Sequence, residues 1–337
     1  MSELYELTAA EIVRQATSRE LSARAVVDAL LERISEFDGE LRAWVTVDAK
    51  GAREQADRLD QAAADGRFGP LQGVPVGVKD IIDVAGLPTI AGFEPFRGRA
   101  IDRDATIVSR LRKAGAIILG KTHTTQFANG DPAPTVNPWN REKTPGGSSS
   151  GSGAAVAARM VPLALGTQTV GSTLRPAAYC GVAAFKPSFN WIDRDGVVPL
   201  AWSLDHLGLI ARTVEDLALV YGVLTSGRPL AIRPGEPPRL AYLKSLAETS
   251  EPPVSSHLDD VAERLRAAGA MVEEVELPVE FELIQATHFV IMQSEVSAIH
   301  AELRREHPEE YGPSISRSVD VGSLIPAPFD IKARRLR

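Results

Sequence analysis

The segment Gly146-Gly147-Ser148-Ser149-Ser150-Gly151-Ser152-Gly153 runs directly into the alanine-rich stretch Ala154-Ala155-Val156-Ala157-Ala158. A glycine and serine tract alone is compatible with a flexible linker. Here a strongly helix-forming stretch starts where the glycines end. That order favours a loop that delivers backbone N–H groups and small side chains to a helix N-terminus. Loops built in this way bind anions or developing negative charge.

A dinucleotide-binding loop is the specific alternative for this segment, because residues 151–156 loosely match the first part of a Rossmann fingerprint. The fingerprint needs a preceding strand and an acidic residue about 20 positions further on. Residues 137–145 instead carry the Asn and Pro residues that are typical of turns. From residue 143 to residue 192 the chain has no Asp, Glu or His. The sequence therefore disfavours a dinucleotide site.

A second cluster of small residues, from Leu165 to Pro176, presents Ser172 on a turn among successive backbone N–H groups. A serine nucleophile needs a base, and the local lack of acids and histidines excludes a nearby Ser–His–Asp arrangement. Ser–Lys pairs are the known alternative. Lys79 is flanked by valines and isoleucines between residues 76 and 82, where desolvation lowers the pKa of an amine. Taken singly, Lys79 is equally compatible with a strand-end lysine whose amine reaches water.

Helical and strand patterns alternate along the chain, which predicts an α/β architecture of packed layers. A Thr8-x-x-Glu11 capping box opens the first helix. Six prolines between residues 226 and 256 predict a loop-rich connection. A second N-terminal helix is predicted to carry an apolar face made of Val26, Val27, Leu30, Leu31 and Ile34. The other predicted elements are a helix near 49–65, a strand ending at 76–80, a helix at 104–114, a strand at 117–119, a helix through 261–268 and a strand at 272–277.

Composition narrows the class of protein. The 337 residues have a net charge of −7 and no long Lys/Arg cluster, so nothing indicates binding to nucleic acid. No run of eighteen apolar residues predicts a bilayer span, and the N-terminus lacks signal-peptide features. The single cysteine, Cys180, and the six scattered histidines predict neither an internal disulfide nor a metal site. We therefore expect a globular cytoplasmic protein.

The order of short motifs is similar to that of a known family. The shared residues are Gly73–Asp80, Gly120-Lys121-Thr122, Asn137-Pro138-Trp139-Asn140, Pro145–Ser149, Cys180-Gly181, Lys186-Pro187, Val198-Pro199-Leu200 and Ser203-Leu204-Asp205-His206. In these residues the chain resembles the amidase signature enzymes, and the match runs from residue 5 to about residue 225. The resemblance implies a central mixed β-sheet covered by helices on both faces.

The resemblance also implies the site residues. It assigns Ser172 as the nucleophile, Ser148 as a bridging serine held by a cis Gly147–Ser148 peptide, and Lys79 as the terminal base. The backbone N–H groups expected to surround the oxyanion belong to four consecutive residues: Thr169, Val170, Gly171 and Ser172. The 24 positions between Ser148 and Ser172 leave room for a helix and a strand that return to the same place.

The chain departs from the family pattern beside the nucleophile. Many members carry an acid where this chain has Gln168, a glycine where it has Val170 and an arginine where it has Leu174, and here Arg175 follows one place later. Losing one partner of a buried ion pair costs about 3–5 kcal/mol. We therefore interpret Gln168 and Leu174 as a joint replacement of such a pair.

One amidase signature domain is expected over residues 1–337. It has a helical lead-in at 1–65, a catalytic core at 66–225 and a variable half, which contributes to the substrate pocket, at 226–337. The family's domain normally extends further, so we expect part of its C-terminal region to be absent from this chain.

The activity implied by the resemblance is hydrolysis of a C–N bond in a small-molecule amide or carbamate, through an acyl-enzyme and without a cofactor or metal. A homodimer is compatible with this reading. The same family supplies the glutaminase component of a complex that acts on misacylated transfer RNA, so an amidotransferase A-type subunit is the first alternative. A catalytically silent homologue is the second, suggested by the departures at Gln168, Val170 and Leu174.

Overall fold

The computed structural model of the protein describes residues 3–225 and 236–337. The chain divides into two compact units. The first unit comprises residues 1–229 and 292–325, and the second comprises residues 230–291 and 326–337. The first ten residues of the predicted loop-rich connection, 226–235, lie outside the described residues.

The helices and strands alternate through most of the chain. The helices are α1 (Ala9–Thr17), α2 (Ala23–Leu41), α3 (Ala49–Ala64), α4 (Thr106–Lys113), α5 (Ser150–Ala157), α6 (Leu174–Cys180), α7 (Val214–Leu224), α8 (Lys244–Ala247), α9 (Pro252–Ala267), α10 (Phe281–Glu306), α11 (Pro313–Ser323) and α12 (Ala327–Leu336). The strands are β1 (Trp44–Val47), β2 (Pro75–Lys79), β3 (Ile117–Thr122), β4 (Leu163–Gln168), β5 (Ala183–Phe185), β6 (His206–Ala211), β7 (Arg239–Tyr242) and β8 (Met271–Glu274).

The first unit is built on a six-stranded sheet in the order β1-β3-β2-β4-β6-β5. Strand β2 pairs in parallel with β3 and with β4, and the outer pairs are antiparallel. The predicted mixed sheet flanked by helices is confirmed. All five residues of β2 and all six of β3 and of β4 are buried, as expected of strands covered on both faces. Strand β2 therefore ends, at Lys79, inside the protein.

The N-terminal helices form as the sequence predicts. Thr8 and Glu11 make the reciprocal capping box at the start of α1. In α2 the predicted apolar face is buried, and both helices contribute to the core of the first unit. The N-terminal segment thus supports the sheet from outside.

The boundary of α5 differs from the sequence prediction. The helix begins at Ser150, so the glycines and serines of residues 150–153 form its first turn instead of a loop that precedes it. A Cβ atom placed on Gly151 would lie 2.2 Å from the carbonyl oxygen of Ala43, and one on Gly153 would lie 3.1 Å from that of Pro176. These glycines are needed because other chain segments pack directly against the helix backbone. Their role is close packing, which the loop interpretation did not foresee.

In the second unit, the structure corrects part of the loop prediction. Strand β7 and helices α8 and α9 occupy residues that the six prolines marked as irregular. Pro252 and Pro253 open α9, where a missing backbone N–H costs nothing. The predicted helix through residues 261–268 and the strand after it correspond to α9 and β8, and β8 pairs in parallel with β7.

Candidate active site

Lys79 is the last residue of β2 and its side chain is fully buried. Its Nζ atom lies 2.7 Å from Ser148 Oγ and 2.7 Å from Thr167 Oγ1. Both partners are neutral hydroxyls, which can accept from an ammonium group but do not offset its charge. Burial therefore lowers the pKa of the Lys79 amine well below its usual value, while Asp205 acts in the opposite direction.

Ser148 lies two residues before the start of α5 at Ser150. The Gly147–Ser148 peptide bond is cis. The Gly147 carbonyl accepts hydrogen bonds from Arg175 Nε at 2.9 Å and Nη2 at 2.6 Å. Ser149, the next residue, donates from its backbone N–H to the carbonyl of Ser172 at 3.1 Å. The two serine-bearing segments are therefore joined along their backbones.

Ser172 lies between β4 and α6 and is 7% exposed. Among residues 3–225 and 236–337, no hydrogen bond joins its hydroxyl to that of Ser148. Nor do the backbone N–H groups of residues 169–172 donate to any residue in those ranges. Four consecutive backbone N–H groups on one turn are therefore without an acceptor among the described residues, which is what an oxyanion site requires. The structure thus joins Lys79 to Ser148 directly and brings Ser172 next to that pair through the backbone.

Thr169, the first residue of this turn, is held by a carboxylate. Its hydroxyl donates to Asp205 Oδ1 at 2.6 Å. The other carboxylate oxygen accepts from the backbone N–H groups of Leu200 and Ala201, at 2.9 Å and 3.0 Å. Asp205 therefore ties the turn to the loop before β6.

Gln168 stands where an acid is common in the family, and both the oxygen and the nitrogen of its side-chain amide form hydrogen bonds. Its Oε1 atom accepts from the backbone N–H groups of Thr173 and Leu174, at 3.1 Å and 3.0 Å, which begin α6. Its Nε2 atom donates to the carbonyl of Val170 at 3.0 Å. The side chain of Leu174 is 44% exposed. A neutral amide thus supplies a donor to the turn that a carboxylate could not supply.

A cavity of about 550 Å³ opens beside the turn and is lined by Thr167, Thr169 and Asp205 together with the loop of residues 190–200. His123 lines a separate cavity, and burial lowers its pKa to about 4. In the ranges described, no cluster of three or more His, Cys, Asp or Glu side chains could hold a metal ion. None of the helices in these ranges is long and apolar enough to cross a membrane.

Comparison with known proteins places the chain in a family. The family model described as Amidase matches residues 25–328. The chain belongs to the amidase signature family. An amidase of Pseudomonas putida is 38% identical over 356 residues, which cover 100% of this chain and 76% of that protein. The A-type subunit of the glutamyl-tRNA(Gln) amidotransferase of Roseiflexus castenholzii is 36% identical over 363 residues, covering 96% of this chain and 74% of that protein.

Solved structures of amidases have the same fold. A crystal structure of an amidase has a TM-score of 0.88 and 30% identity, and covers 98% of this chain and 76% of that chain. The native peptide amidase of Stenotrophomonas maltophilia has a TM-score of 0.82 and 29% identity, with 98% and 78% covered. The chain thus spans about three quarters of the length of these relatives.

Two residues of the site were not singled out by the sequence analysis. Thr167, which contacts Lys79, lies in the small-residue cluster, and Asp205 lies in a motif that supported the family resemblance without receiving a role. The register of β4 against β6 pairs Gln168 with His206, which places Thr169 opposite Asp205. Only knowledge of this pairing could have linked the two residues.

Proposed function

We propose that the protein is an amide hydrolase in which Ser172 forms an acyl-enzyme that water then cleaves. The observation that carries this proposal is the fully buried amine of Lys79 at 2.7 Å from the Ser148 hydroxyl. Burial disfavours the charged form of this amine and lowers its pKa, which favours its use as a base. Its two hydroxyl partners give it a route for a proton without providing a counter-ion.

In this proposal a proton moves from Ser172 through the Ser148 hydroxyl to Lys79. When the Lys79 amine is neutral, its lone pair accepts from the Ser148 hydroxyl, and one of its N–H groups donates to Thr167. Ser172 gives its proton to Ser148 Oγ as its own oxygen attacks the substrate carbonyl, and Ser148 passes a proton to Lys79. This step requires a Ser172 rotamer that turns the hydroxyl toward Ser148, a contact that tightens when substrate binds. The proton then returns to the departing nitrogen, and the C–N bond breaks.

The turn of residues 169–172 supplies the electrostatic part of the proposal. As the carbonyl oxygen becomes an oxyanion, the unused backbone N–H groups of Thr169, Val170, Gly171 and Ser172 surround it. Each such donor is typically worth about 10²–10³ in rate. Since the donors are fixed before substrate binds, the turn does not reorganise during the reaction.

The substrate in this proposal is a small-molecule amide or carbamate, whose carbonyl carbon is attacked by Ser172. The Pseudomonas putida amidase and the Stenotrophomonas maltophilia peptide amidase are relatives whose names fit C–N bond cleavage. The homodimer and the cytoplasmic location stay predictions.

The nucleophile is tested with a fluorophosphonate probe followed by peptide mapping. The wild-type protein is expected to be labelled at Ser172, and Ser172→Ala to lose labelling and amide hydrolysis with little change in melting temperature. Ser188→Ala removes an exposed serine of the same unit and serves as the matched control. Labelling at another serine contradicts the assignment, and a folded wild type without labelling supports the catalytically silent homologue.

An amidotransferase component is the second candidate, favoured by the similarity to the A-type subunit of glutamyl-tRNA(Gln) amidotransferase. The free chain should then hydrolyse glutamine only after the other components of such an enzyme are added. Robust hydrolysis of simple amides by the isolated chain, unchanged by those components, supports the free hydrolase instead.

A further inference from the structure

We propose that Asp205 is a positioning residue of this reaction, which fixes the oxyanion turn through Thr169 and places a negative charge within electrostatic reach of Lys79. The inference rests on the proposed hydrolase function and adds a residue that the relay of Lys79, Ser148 and Ser172 does not include. Asp205 does not touch the reacting atoms in this proposal, because both of its effects pass through another residue.

The first effect follows from strand register. Strands β4 and β6 are antiparallel, and their last pair, Gln168 with His206, leaves Thr169 and Asp205 facing each other just beyond the sheet. The Thr169 hydroxyl donates to Asp205 Oδ1 at 2.6 Å and so joins the two residues. Two backbone N–H groups, of Leu200 and Ala201, hold the other carboxylate oxygen. A carboxylate with three donors is fixed in place, and it fixes the side chain at the start of the turn.

The second effect follows from the charges around Lys79. Strand β4 and the segment before α5 present only the hydroxyls of Thr167 and Ser148 to the amine. The neighbouring carboxylate of Asp80 is paired with Lys121 on β3, at 3.0 Å. Asp205 is the charged group that acts on Lys79 among the residues described, and it favours the ammonium form. It therefore counteracts the desolvation of the amine.

The charges around Asp205 itself set the state in which it acts. Burial raises the pKa of its carboxyl, whereas the Thr169 hydroxyl, the two backbone N–H groups and the charge of Arg194 favour the ionised form. His206, the next residue along the chain, donates from Nδ1 to the carbonyl of Leu204 at 2.6 Å, and burial lowers its pKa. Since a lowered pKa favours the neutral form of His206, Asp205 remains the charged group that acts on Lys79 among the residues described.

Asp205→Asn removes the negative charge of the side chain and keeps its shape. The amide keeps three contacts, because its oxygen accepts from the two backbone N–H groups and its nitrogen donates to Thr169 Oγ1. Losing the negative charge lowers the pKa of Lys79. The labelling rate of Ser172 by a fluorophosphonate, measured from pH 5 to 9, should therefore keep its plateau while the acidic limb moves to lower pH by about one unit.

Thr169→Val tests the hydrogen bond without changing the charge. It removes the hydrogen bond to Asp205 and keeps the carboxylate, so the labelling plateau should fall about tenfold while the acidic limb stays in place. Asp216→Asn is the matched control for both variants, because Asp216 is also buried and accepts a backbone N–H, from Ala10 at 2.9 Å, without acting on Lys79. It should move neither the plateau nor the limb.

An acidic limb that stays in place or moves upward in Asp205→Asn overturns the inference, as does a wild-type plateau in Thr169→Val. If Asp205→Asn fails to fold, as judged by circular dichroism and thermal melting, the Thr169→Val plateau still decides. These results differ from a failure of the proposed function, in which the wild-type protein is not labelled at Ser172 at any pH.

Discussion

Two buried lysines on neighbouring strands have opposite surroundings. Lys79 ends β2, Lys121 lies near the end of β3, and both side chains are fully buried. The amine of Lys121 lies 3.0 Å from Asp80 Oδ1 and also donates to Thr89 Oγ1 at 2.8 Å and to the Pro88 carbonyl at 3.1 Å. Within residues 3–225 and 236–337, the amine of Lys79 contacts two hydroxyls and no carboxylate.

The difference indicates that the charge of a lysine's partners, as well as burial, sets the pKa of its amine. Burial lowers the pKa of Lys121, but the Asp80 carboxylate opposes that change at contact distance. For Lys79 the pKa falls well below its usual value because only the more distant Asp205 opposes burial. An ion pair locks its proton in place, whereas an amine between hydroxyls can take and release one. We therefore expect a structural role for Lys121 and, under the proposed function, a catalytic role for Lys79.

The largest expected effect tests the catalytic side of this comparison. Lys79→Met keeps the apolar length of the side chain and removes the amine, so no counter-ion is left unpaired. The rate of amide hydrolysis should fall at least about 10³-fold, whereas the melting temperature should stay the same or rise. Steady-state kinetics and thermal melting of the same preparation measure both. Retained activity in a folded Lys79→Met variant contradicts the role of the base.

The structural side is tested by Lys121→Met. This change leaves the Asp80 carboxylate buried without its partner, and the free energy of unfolding should fall by about 3–5 kcal/mol. Urea denaturation measures the loss. Adding Asp80→Asn removes the stranded charge and should restore part of the stability. Equal stability of Lys121→Met and the wild type means that the buried Asp80 carboxylate does not depend on Lys121 as its partner.

A third prediction distinguishes the two uses of the Lys79 proton. An amide nitrogen must be protonated to leave, whereas p-nitrophenolate leaves unaided. Lys79→Ala should therefore slow an anilide by about 10²-fold more than a matched p-nitrophenyl ester, and the acidic limb of the pH profile should disappear for both. Equal losses for the two substrates mean that Lys79 does not donate to the leaving group.

The smallest expected effect concerns Gln168, a second position where the chain has a neutral side chain and a charged one would be the alternative. In Gln168→Glu the donor to the Val170 carbonyl is lost and a carboxylate faces that oxygen. The free energy of unfolding should fall by about 1–3 kcal/mol, and adding Leu174→Arg should recover part of it. Gln168→Met, which removes the polar contacts without adding charge, is the control. Additive effects of the two substitutions in a double-mutant cycle exclude coupling between positions 168 and 174.

Short-range patterns predicted much of the fold. The capping box of Thr8 and Glu11, the apolar face of α2 and the buried strands β2 and β3 are confirmed, because periodicity and capping are properties of neighbouring residues. The predictions for the start of α5 and for the elements of residues 239–253 were wrong. Glycine and proline have more than one use, and which use applies depends on what packs against them.

The sequence by itself determined the family, the α/β architecture and the candidates Lys79, Ser148 and Ser172, since these depend on residue types in a fixed order along the chain. Only the tertiary structure decided which buried lysine lacks a carboxylate, that Thr167 shares the amine, and that Asp205 holds the turn. Charge balance depends on distances of a few ångströms between strands far apart in sequence. Those distances are set by sheet register and burial, which no single segment encodes.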